Sequence, residues 1–192
     1  MSREITVKGV VVFKRPVGEG SVRISLYTDA LGLVSAAAKS AREERSKLRA
    51  HLQEGTYGTY TLVQGALTWR LTGALNTKNI FFDADRSARR ESAARVFSIV
   101  RQFVRGEGSD PYLFNVVWEY LRIVPALENE ELQEAECVAV LRIMAALGYV
   151  EAANGNEKFL NAEYGTELLA QVKQSRVSLV RAINEGIAVS GL

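Results

Sequence analysis

The sequence contains few of the residues from which metal sites and disulfides are built. Cys137 is the only cysteine and His51 the only histidine among 192 residues. One cysteine excludes an intramolecular disulfide, and one cysteine with one histidine cannot form a structural zinc site of thiolates and imidazoles within the chain. We therefore expect no metal site and a reducing cytoplasm as the compartment. Because a carboxylate constellation is also lacking, a hydrolase is disfavoured, and no cofactor or catalytic residue is expected.

Long apolar runs are lacking as well. Nowhere do about 18 apolar residues follow one another, so neither a transmembrane helix nor a membrane partner is expected. The first twenty residues carry six charged side chains, which exclude the apolar core of a signal peptide. Hydrophobic residues make up 47% and charged residues 24%, which is the composition of a folded globular chain rather than a disordered one.

Positive charge is concentrated in the first part of the chain. Residues 1–82 contain 12 Lys and Arg against 6 Asp and Glu, a net charge of +6. Residues 83–192 contain 12 against 16, a net charge of −4. This asymmetry indicates that the front half binds a polyanion and that the back half has another role. Chance variation in surface charge explains it equally well.

The first 82 residues show the alternation and turn spacing of short strands. Val22, Ile24 and Leu26 fall on one face of a half-buried strand. Five strands are predicted, the last two as a hairpin around Gly65: Ile5–Phe13, Val22–Thr28, Leu33–Ala38, Thr56–Val63 and Leu67–Leu75. Five short strands in about 80 residues predict a small barrel.

After Asp83 the apolar residues take helical spacing. Asp110 followed by Pro111 is typical of a helix start. Helices are predicted over residues 86–105, 111–124, 130–147 and 166–184. Asn154-Gly155-Asn156 indicates a tight turn, compatible with a small hairpin between Tyr149 and Leu160. The boundary between the barrel and the helical part is expected at Asp83–Ser87.

A series of motifs in the front half has a specific order and spacing. It reads Val17-Gly18-Glu19-Gly20-Ser21-Val22-Arg23-Ile24, Thr28-x-x-x-Gly32, Ala36-x-Ala38-Lys39-x-Ala41-Arg42, Ser46-Lys47-Leu48 and Leu52-Gln53. Weaker matches follow at Asp110-Pro111-x-Leu113-Phe114 and from Leu141-Arg142 to Leu147-Gly148-Tyr149. Together these motifs resemble the RecO family of DNA repair proteins. The four-cysteine zinc module that many members carry after the Leu-Gly-Tyr element is missing, so the resemblance is to a compact form.

The resemblance implies a fold and a function. The fold is α+β, with an N-terminal five-stranded OB-fold β-barrel over residues 1–82 and a C-terminal all-helical, partner-binding domain over residues 83–192. The implied function is that of a non-enzymatic recombination mediator in the bacterial cytoplasm, associated with the nucleoid. It would bind single- and double-stranded DNA, anneal complementary strands and, with RecR, assist loading of RecA onto DNA coated by single-stranded DNA-binding protein, SSB. An OB-fold RNA-binding accessory protein is the alternative, because its barrel and arginines would look the same.

Basic residues of the barrel region are the predicted DNA contacts. Five lie in the polar segment Lys39–Arg49, in which Glu43 and Glu44 weaken the positive field, and a solvated loop is the competing interpretation. Arg23 is expected to face away from the core, with an ion pair to Glu19 as its alternative role. The predicted DNA-binding set, expected on one face, is Lys14, Arg15, Arg23, Lys39, Arg42, Arg45, Lys47 and Arg49.

Two further sets of residues have open roles. Tyr27 shares the side of Arg23 and is a candidate for base stacking, as are Tyr57, Tyr60 and Trp69, although strand aromatics more often pack in cores. Arg101 and Arg105 are one i,i+4 step apart on the predicted first helix. The resemblance implies that they flank a groove for the acidic C-terminal tail of SSB, with DNA contact or ordinary surface charge as alternatives.

Overall fold

The computed structural model describes residues 3–66, 68–81, 87–104, 106–153 and 155–191, and its contacts define two compact units. The first unit comprises Met1–Phe82 and Val104–Phe114, and the second comprises Asp83–Phe103 and Asn115–Leu192. The expected boundary at Asp83–Ser87 lies, apart from Ser87, outside the described residues. The domain division at residue 82 therefore stays a prediction.

Five strands pair into a closed ring in the first unit. They are β1 (Glu4–Val17), β2 (Ser21–Thr28), β3 (Gly32–Ala38), β4 (Thr56–Gln64) and β5 (Trp69–Asn79). Because β1 is 14 residues long, its first half pairs with β4 and its second half with β2. The ring runs β1-β2-β3-β5-β4, and only the β3–β5 pairing is parallel among the described strands. Five strands in this closed order, followed by helices, confirm the predicted α+β class with an N-terminal OB-fold.

Side chains alternate between the two faces of each strand, and those on the inner face form the core of the ring. Ile24 and Leu26 of β2 are fully buried, and Leu62 of β4 and Leu71 of β5 join them in one apolar cluster. The residues between these positions project outward, as the period of two requires. The outer wall of the ring is therefore built from the residues that alternate with this cluster, such as Arg23 and Ser25 of β2.

The polar segment between β3 and β4 closes one end of the ring. Ala41 and Leu52 are buried in the barrel core, and Leu48 packs against it. The hydroxyl of Tyr60, inside the core, donates to the backbone oxygen of His51 at 3.2 Å. Three apolar anchors thus hold a segment whose charged residues remain at the surface.

Residues 106–114 form a strap on the barrel. The backbone N–H of Gly108 donates to the oxygen of Leu31 at 3.1 Å, and the indole Nε1–H of Trp69 donates to a carboxylate oxygen of Glu107 at 2.7 Å. Gly32 has φ +65°, and a Cβ there would lie 2.4 Å from the oxygen of Gly108. Glycine is therefore required at this position both by the backbone conformation and by the close approach.

Five helices follow β5 among the described residues. They are α1 (Ser87–Phe103), α2 (Pro111–Ile123), α3 (Leu132–Ala146), α4 (Glu157–Asn161) and α5 (Thr166–Val189). The predicted helix start is confirmed, because the N–H of Leu113 donates to Oδ1 of Asp110 at 2.9 Å. In the second unit, α3 is the central helix: Val138, Leu141 and Met144 are fully buried.

The suggested hairpin between Tyr149 and Leu160 is wrong. The segment contains the short helix α4, and Phe159 on this helix is buried at 1% exposure in the core of the helical unit. The Asn156 side chain fixes the preceding turn by accepting from the N–H of Ala153 and donating to the oxygen of Glu151. The sequence indicates the turn, but its local pattern does not show that Phe159 is buried on a short helix rather than on a strand.

Candidate nucleic-acid interface

Three arginines form a row across the outer wall of the barrel. Arg15 on β1 is the cross-strand partner of Arg23 on β2, Arg23 is paired with Ala37 on β3, and Ala37 is paired with Arg70 on β5. Cross-strand partners point to the same side of a sheet. Arg23 lies between buried Val22 and Ile24, so that side is the outside. We call Arg15, Arg23 and Arg70 the wall row; sequence reasoning missed Arg70, which only the β3–β5 pairing brings next to Ala37.

Arg23 is the most enclosed member of the wall row. Its side chain is half-buried, and within the described residues its buried Nε has no hydrogen-bond partner. No ion pair between Arg23 and Glu19 appears among the described contacts. A buried donor without a partner is costly, and an incoming phosphate oxygen is an acceptor that would satisfy it.

Lys14 does not lie on the same side as the wall row, which corrects the prediction of one shared face. Its cross-strand partner is Ile24, whose side chain is fully buried in the core. Burial lowers the pKa of the Lys14 amine, the charge of Arg49 lowers it further, and the carboxylate of Glu54 raises it. Lys14 therefore sits near Arg49 and Glu54, at the end of the ring that the polar segment closes.

The basic residues of the polar segment are exposed, and one of them is structurally engaged. Arg42 Nη1 donates to the oxygen of Gly18 at 3.1 Å, and its backbone N–H donates to the oxygen of Gly20 at 2.9 Å, which ties the segment to the β1–β2 turn. The other basic side chains of the segment are exposed, so a ligand in the surrounding water can reach them. The exposed basic residues of the segment are Lys39, Arg42, Arg45, Lys47 and Arg49. We call Lys14, Arg45, Lys47 and Arg49 the end surface.

The barrel aromatics pack rather than present faces for base stacking. Tyr27 is 1% exposed, and its ring lies 5.5 Å from that of Phe114, centroid to centroid. Tyr60 and Trp69 are also buried, whereas Tyr57 is half-buried and engaged in contacts of its own. Tyr27 was expected on the outer side, and the strap residue Phe114 is what covers it. The candidate interface is therefore mainly one of charge.

The arginines of α1 serve mostly as internal contacts of the helical unit. Arg89 donates to the backbone oxygen of Leu127 at 3.0 and 2.6 Å, and Arg95 forms a bidentate pair with Glu136 at 2.7 Å. Arg101 is exposed in the last turn of α1 but has a partner contact of its own. Arg105 lies outside the described residues, and the groove that the pair would flank stays a prediction.

Arg142 is a buried cation that sequence reasoning treated only as part of a motif. It is 3% exposed, donates to the backbone oxygens of Phe159 and Ala162, and lies 4.7 Å from the centroid of the Tyr164 ring. Glu119 accompanies it at 3.6 Å. This arrangement fixes the end of α4 and is structural, since a buried charge must be paired.

The thiol of Cys137 lacks the properties of a nucleophile. It is buried on α3, and burial is the main cause that raises its pKa to about 11. Within the ranges that the structure describes, no cluster of three or more His, Cys, Asp or Glu side chains could hold a metal ion. In the same ranges, no helix is long and apolar enough to cross a membrane.

The fold defines an OB-fold protein with an appended helical part, and the comparisons with known proteins identify its N-terminal domain. Residues 1–74 match the family model for the recombination protein O N-terminal domain. That segment therefore carries the RecO-type domain, and the resemblance predicted from the motifs is confirmed.

Similarity to named relatives extends beyond that domain. A protein named DNA repair protein RecO from Dehalococcoides mccartyi strain CBDB1 is 25% identical over 195 residues, covering 94% of this chain and 75% of its own length. The protein of the same name from strain BAV1 is 26% identical with the same coverage. Another from Alkaliphilus metalliredigens is 26% identical over 130 residues, 67% of this chain and 51% of its own length. The likeness thus includes most of the helical part.

Proposed function

We propose that this chain is a DNA-binding recombination mediator that acts in recombinational DNA repair. The match of residues 1–74 to the RecO N-terminal family model is the observation that carries the proposal. The relatives named DNA repair protein RecO, similar over 94% of the chain, support it. The wall row and the end surface supply the exposed positive charge that binding to a polyanion requires.

DNA is assigned to the barrel unit. The contacts are the wall row together with the remaining basic residues of the predicted set, Lys14, Lys39, Arg42, Arg45, Lys47 and Arg49. Long cationic side chains neutralise phosphates and release condensed counterions, which gives affinity without sequence preference. Absence of sequence preference suits a protein that must act at any site of damage.

Annealing of complementary strands is the proposed activity. It needs no catalytic residue, because two polyanions come together spontaneously once their charge is neutralised. Weak, exposed contacts let the strands slide until they are in register, whereas buried aromatics such as Tyr27 do not clamp individual bases. The proposed function is therefore non-enzymatic.

The helical part is proposed to bind partner proteins. RecR and the acidic C-terminal tail of SSB are the proposed partners. Through these contacts the protein would assist the loading of RecA onto single-stranded DNA coated by SSB. Arg101, exposed in α1, and Arg105 are retained as candidate contacts to the tail carboxylates. The proposed place of action is the bacterial cytoplasm, at the nucleoid.

The experiment is an annealing assay with complementary oligonucleotides that carry a fluorophore and a quencher. Rates are measured with naked strands, with strands coated by SSB and with strands coated by tail-deleted SSB, and complementary RNA strands form a parallel arm. We expect the protein to accelerate annealing of naked and SSB-coated DNA but to work poorly on strands coated by tail-deleted SSB. Acceleration confined to RNA would instead establish the RNA-binding alternative.

A further inference from the structure

Two cationic surfaces of the barrel unit face in different directions. The wall row projects from the outside of the ring, because each of its members lies beside buried residues of its own strand or opposite another member of the row. Lys14 directly precedes Arg15, but it faces the closed end beside Arg49. Successive side chains of a strand point to opposite sides, so one straight stretch of backbone cannot contact Lys14 and Arg15 from the same direction.

The β1–β2 turn at the tip of these strands does not join the two surfaces into one. The Arg42 guanidinium there is occupied with the backbone oxygen of Gly18. The carboxylate of Glu43 lies against Gly20, where a Cβ would meet its Oε1 at 3.3 Å. Glu19 adds a second negative charge to the same turn. A phosphate chain that leaves the wall row at this turn therefore meets carboxylates before it reaches the end surface.

We propose that the wall row and the end surface are separate sites for single-stranded nucleic-acid backbones, so that one molecule holds two strands at once. This inference rests on the proposed function and specifies how annealing would occur. Two strands on one protein are presented to each other at a high effective concentration, with their phosphates neutralised on different sides of the same small barrel. A second contact site then accelerates pairing without any change in the affinity of the first.

The ligand class is the phosphodiester backbone of a short single strand, with no base requirement. In the wall row, the buried Nε of Arg23 has no hydrogen-bond acceptor among the described residues, so a phosphate oxygen could fill that role. Arg15 and Arg70 on either side of it are exposed cations. At the end surface, half-buried Lys14 adjoins exposed Arg49 in the same way. Each site thus combines one partly enclosed cation with exposed ones, an arrangement that suits phosphate oxygens.

The test counts strands bound per protein by native mass spectrometry at low salt, using oligothymidylate of about ten nucleotides, within the range that one OB-fold accommodates. Thymidine strands cannot pair with one another. The wall variant carries Arg15→Gln, Arg23→Gln and Arg70→Gln, and the end variant carries Lys14→Gln, Lys47→Gln and Arg49→Gln. A control variant loses the same charge from exposed positions of the helical unit, through Arg122→Gln, Lys173→Gln and Arg181→Gln.

We expect two strands per molecule for the unaltered protein and the control, and one for each of the other variants. Annealing should be at least about tenfold slower in the wall and end variants, and an equimolar mixture of the two should be no faster than either alone. Saturation of the unaltered protein at one strand, two strands on both variants, or restored annealing in the mixture would overturn the inference while leaving DNA binding intact. If the unaltered protein bound no DNA at all, the proposed function itself would fail.

Discussion

Arg15 and Arg23 are cross-strand partners on the outer wall of the barrel, two positive charges placed directly opposite each other. Like charges in this position repel and destabilise a sheet. The pair therefore costs stability in the free protein, and the same repulsion favours a phosphate between the two guanidinium groups. A site built in this way should show opposite effects of mutation on stability and on binding.

Arg15→Gln should make the free protein more stable and weaken its binding to DNA. Relief of the repulsion should raise the free energy of unfolding by about 0.5 kcal/mol at low salt, as measured by urea denaturation. Affinity for single-stranded DNA should fall severalfold. Arg70→Gln is the matched control, because Arg70 faces Ala37 and Val63 rather than a like charge. It should weaken binding without stabilising the protein, and equal stabilisation by both changes would contradict the account.

Tyr27→Leu should lower stability but leave DNA affinity nearly unchanged. The substitution removes a ring that is 1% exposed and packs on Phe114, so we expect a loss of about 1–3 kcal/mol in the free energy of unfolding. If the ring instead stacked on a base, affinity for single-stranded DNA would fall by about 1–3 kcal/mol. Fluorescence anisotropy with a labelled oligonucleotide, at a temperature where the variant is fully folded, separates these outcomes.

Gly32→Ala should be markedly more destabilising than Gly106→Ala. Both glycines have positive φ, +65° and +75°, so alanine costs about 1–2 kcal/mol at either position. Only at Gly32 would the new Cβ also meet a backbone oxygen, that of Gly108 at 2.4 Å, whereas nothing lies within 4 Å of a Cβ at Gly106. The strap would then have to move, and urea denaturation should show a further loss of about 2 kcal/mol or more. Similar losses of stability in both variants would mean that the strap can shift away from residue 32 at little cost in free energy.

Stability should fall as the pH rises above about 10, the usual pKa of tyrosine. Burial raises the pKa of the Tyr27, Tyr60, Tyr120 and Tyr164 hydroxyls above that value in the folded protein. The unfolded chain then releases protons that the folded chain retains, so the stabilisation is complete below pH 10 and is lost as the pH approaches the folded-state values. Urea midpoints between pH 8 and pH 11, with tyrosinate absorbance, measure this.

Tyr164→Phe provides the control for the alkaline effect. The Tyr164 hydroxyl is buried without a hydrogen-bond partner among the described residues, so its removal relieves an unsatisfied group. This variant should be at least as stable as the parent at pH 8 and should lose less stability at pH 11. If the Tyr164→Phe change lowered stability at pH 8, the hydroxyl would have a partner that the structure does not show.

Local patterns were sufficient to predict the order of the five strands and of the four longer helices, but not the short helix α4. The alternation around Ile24 identified a strand with a buried inner face, and Asp110-Pro111 identified the start of α2. Both signals depend on residues close in sequence, for which strand period and helix capping give direct rules. The RecO motifs also lie within short windows, so the family of the N-terminal domain was recognisable from them.

Relationships between distant parts of the chain could not be predicted in this way. Arg70 joins the wall row only because β5 lies parallel to β3, and Lys14 leaves that row only because its cross-strand partner is buried Ile24. Tyr27 is covered by Phe114, 87 positions later in the sequence, so its burial depends on the strap rather than on its own strand. The basic residues were found individually, but the surfaces that they form depend on strand register.

The most direct test of the central claim is a salt titration of binding to fluorescent single-stranded DNA and to RNA of the same sequence. The unaltered protein is compared with the wall variant, the end variant and the helical-unit control. If each barrel surface contacts roughly three to five phosphates of the strand that it holds, the log–log slope for DNA should be about −2 to −3.5. Each barrel variant should then bind less DNA at saturation, and the control should match the unaltered protein. A slope near zero, a strong preference for RNA, or loss of binding in the control alone would contradict a DNA-binding mediator that acts through its barrel.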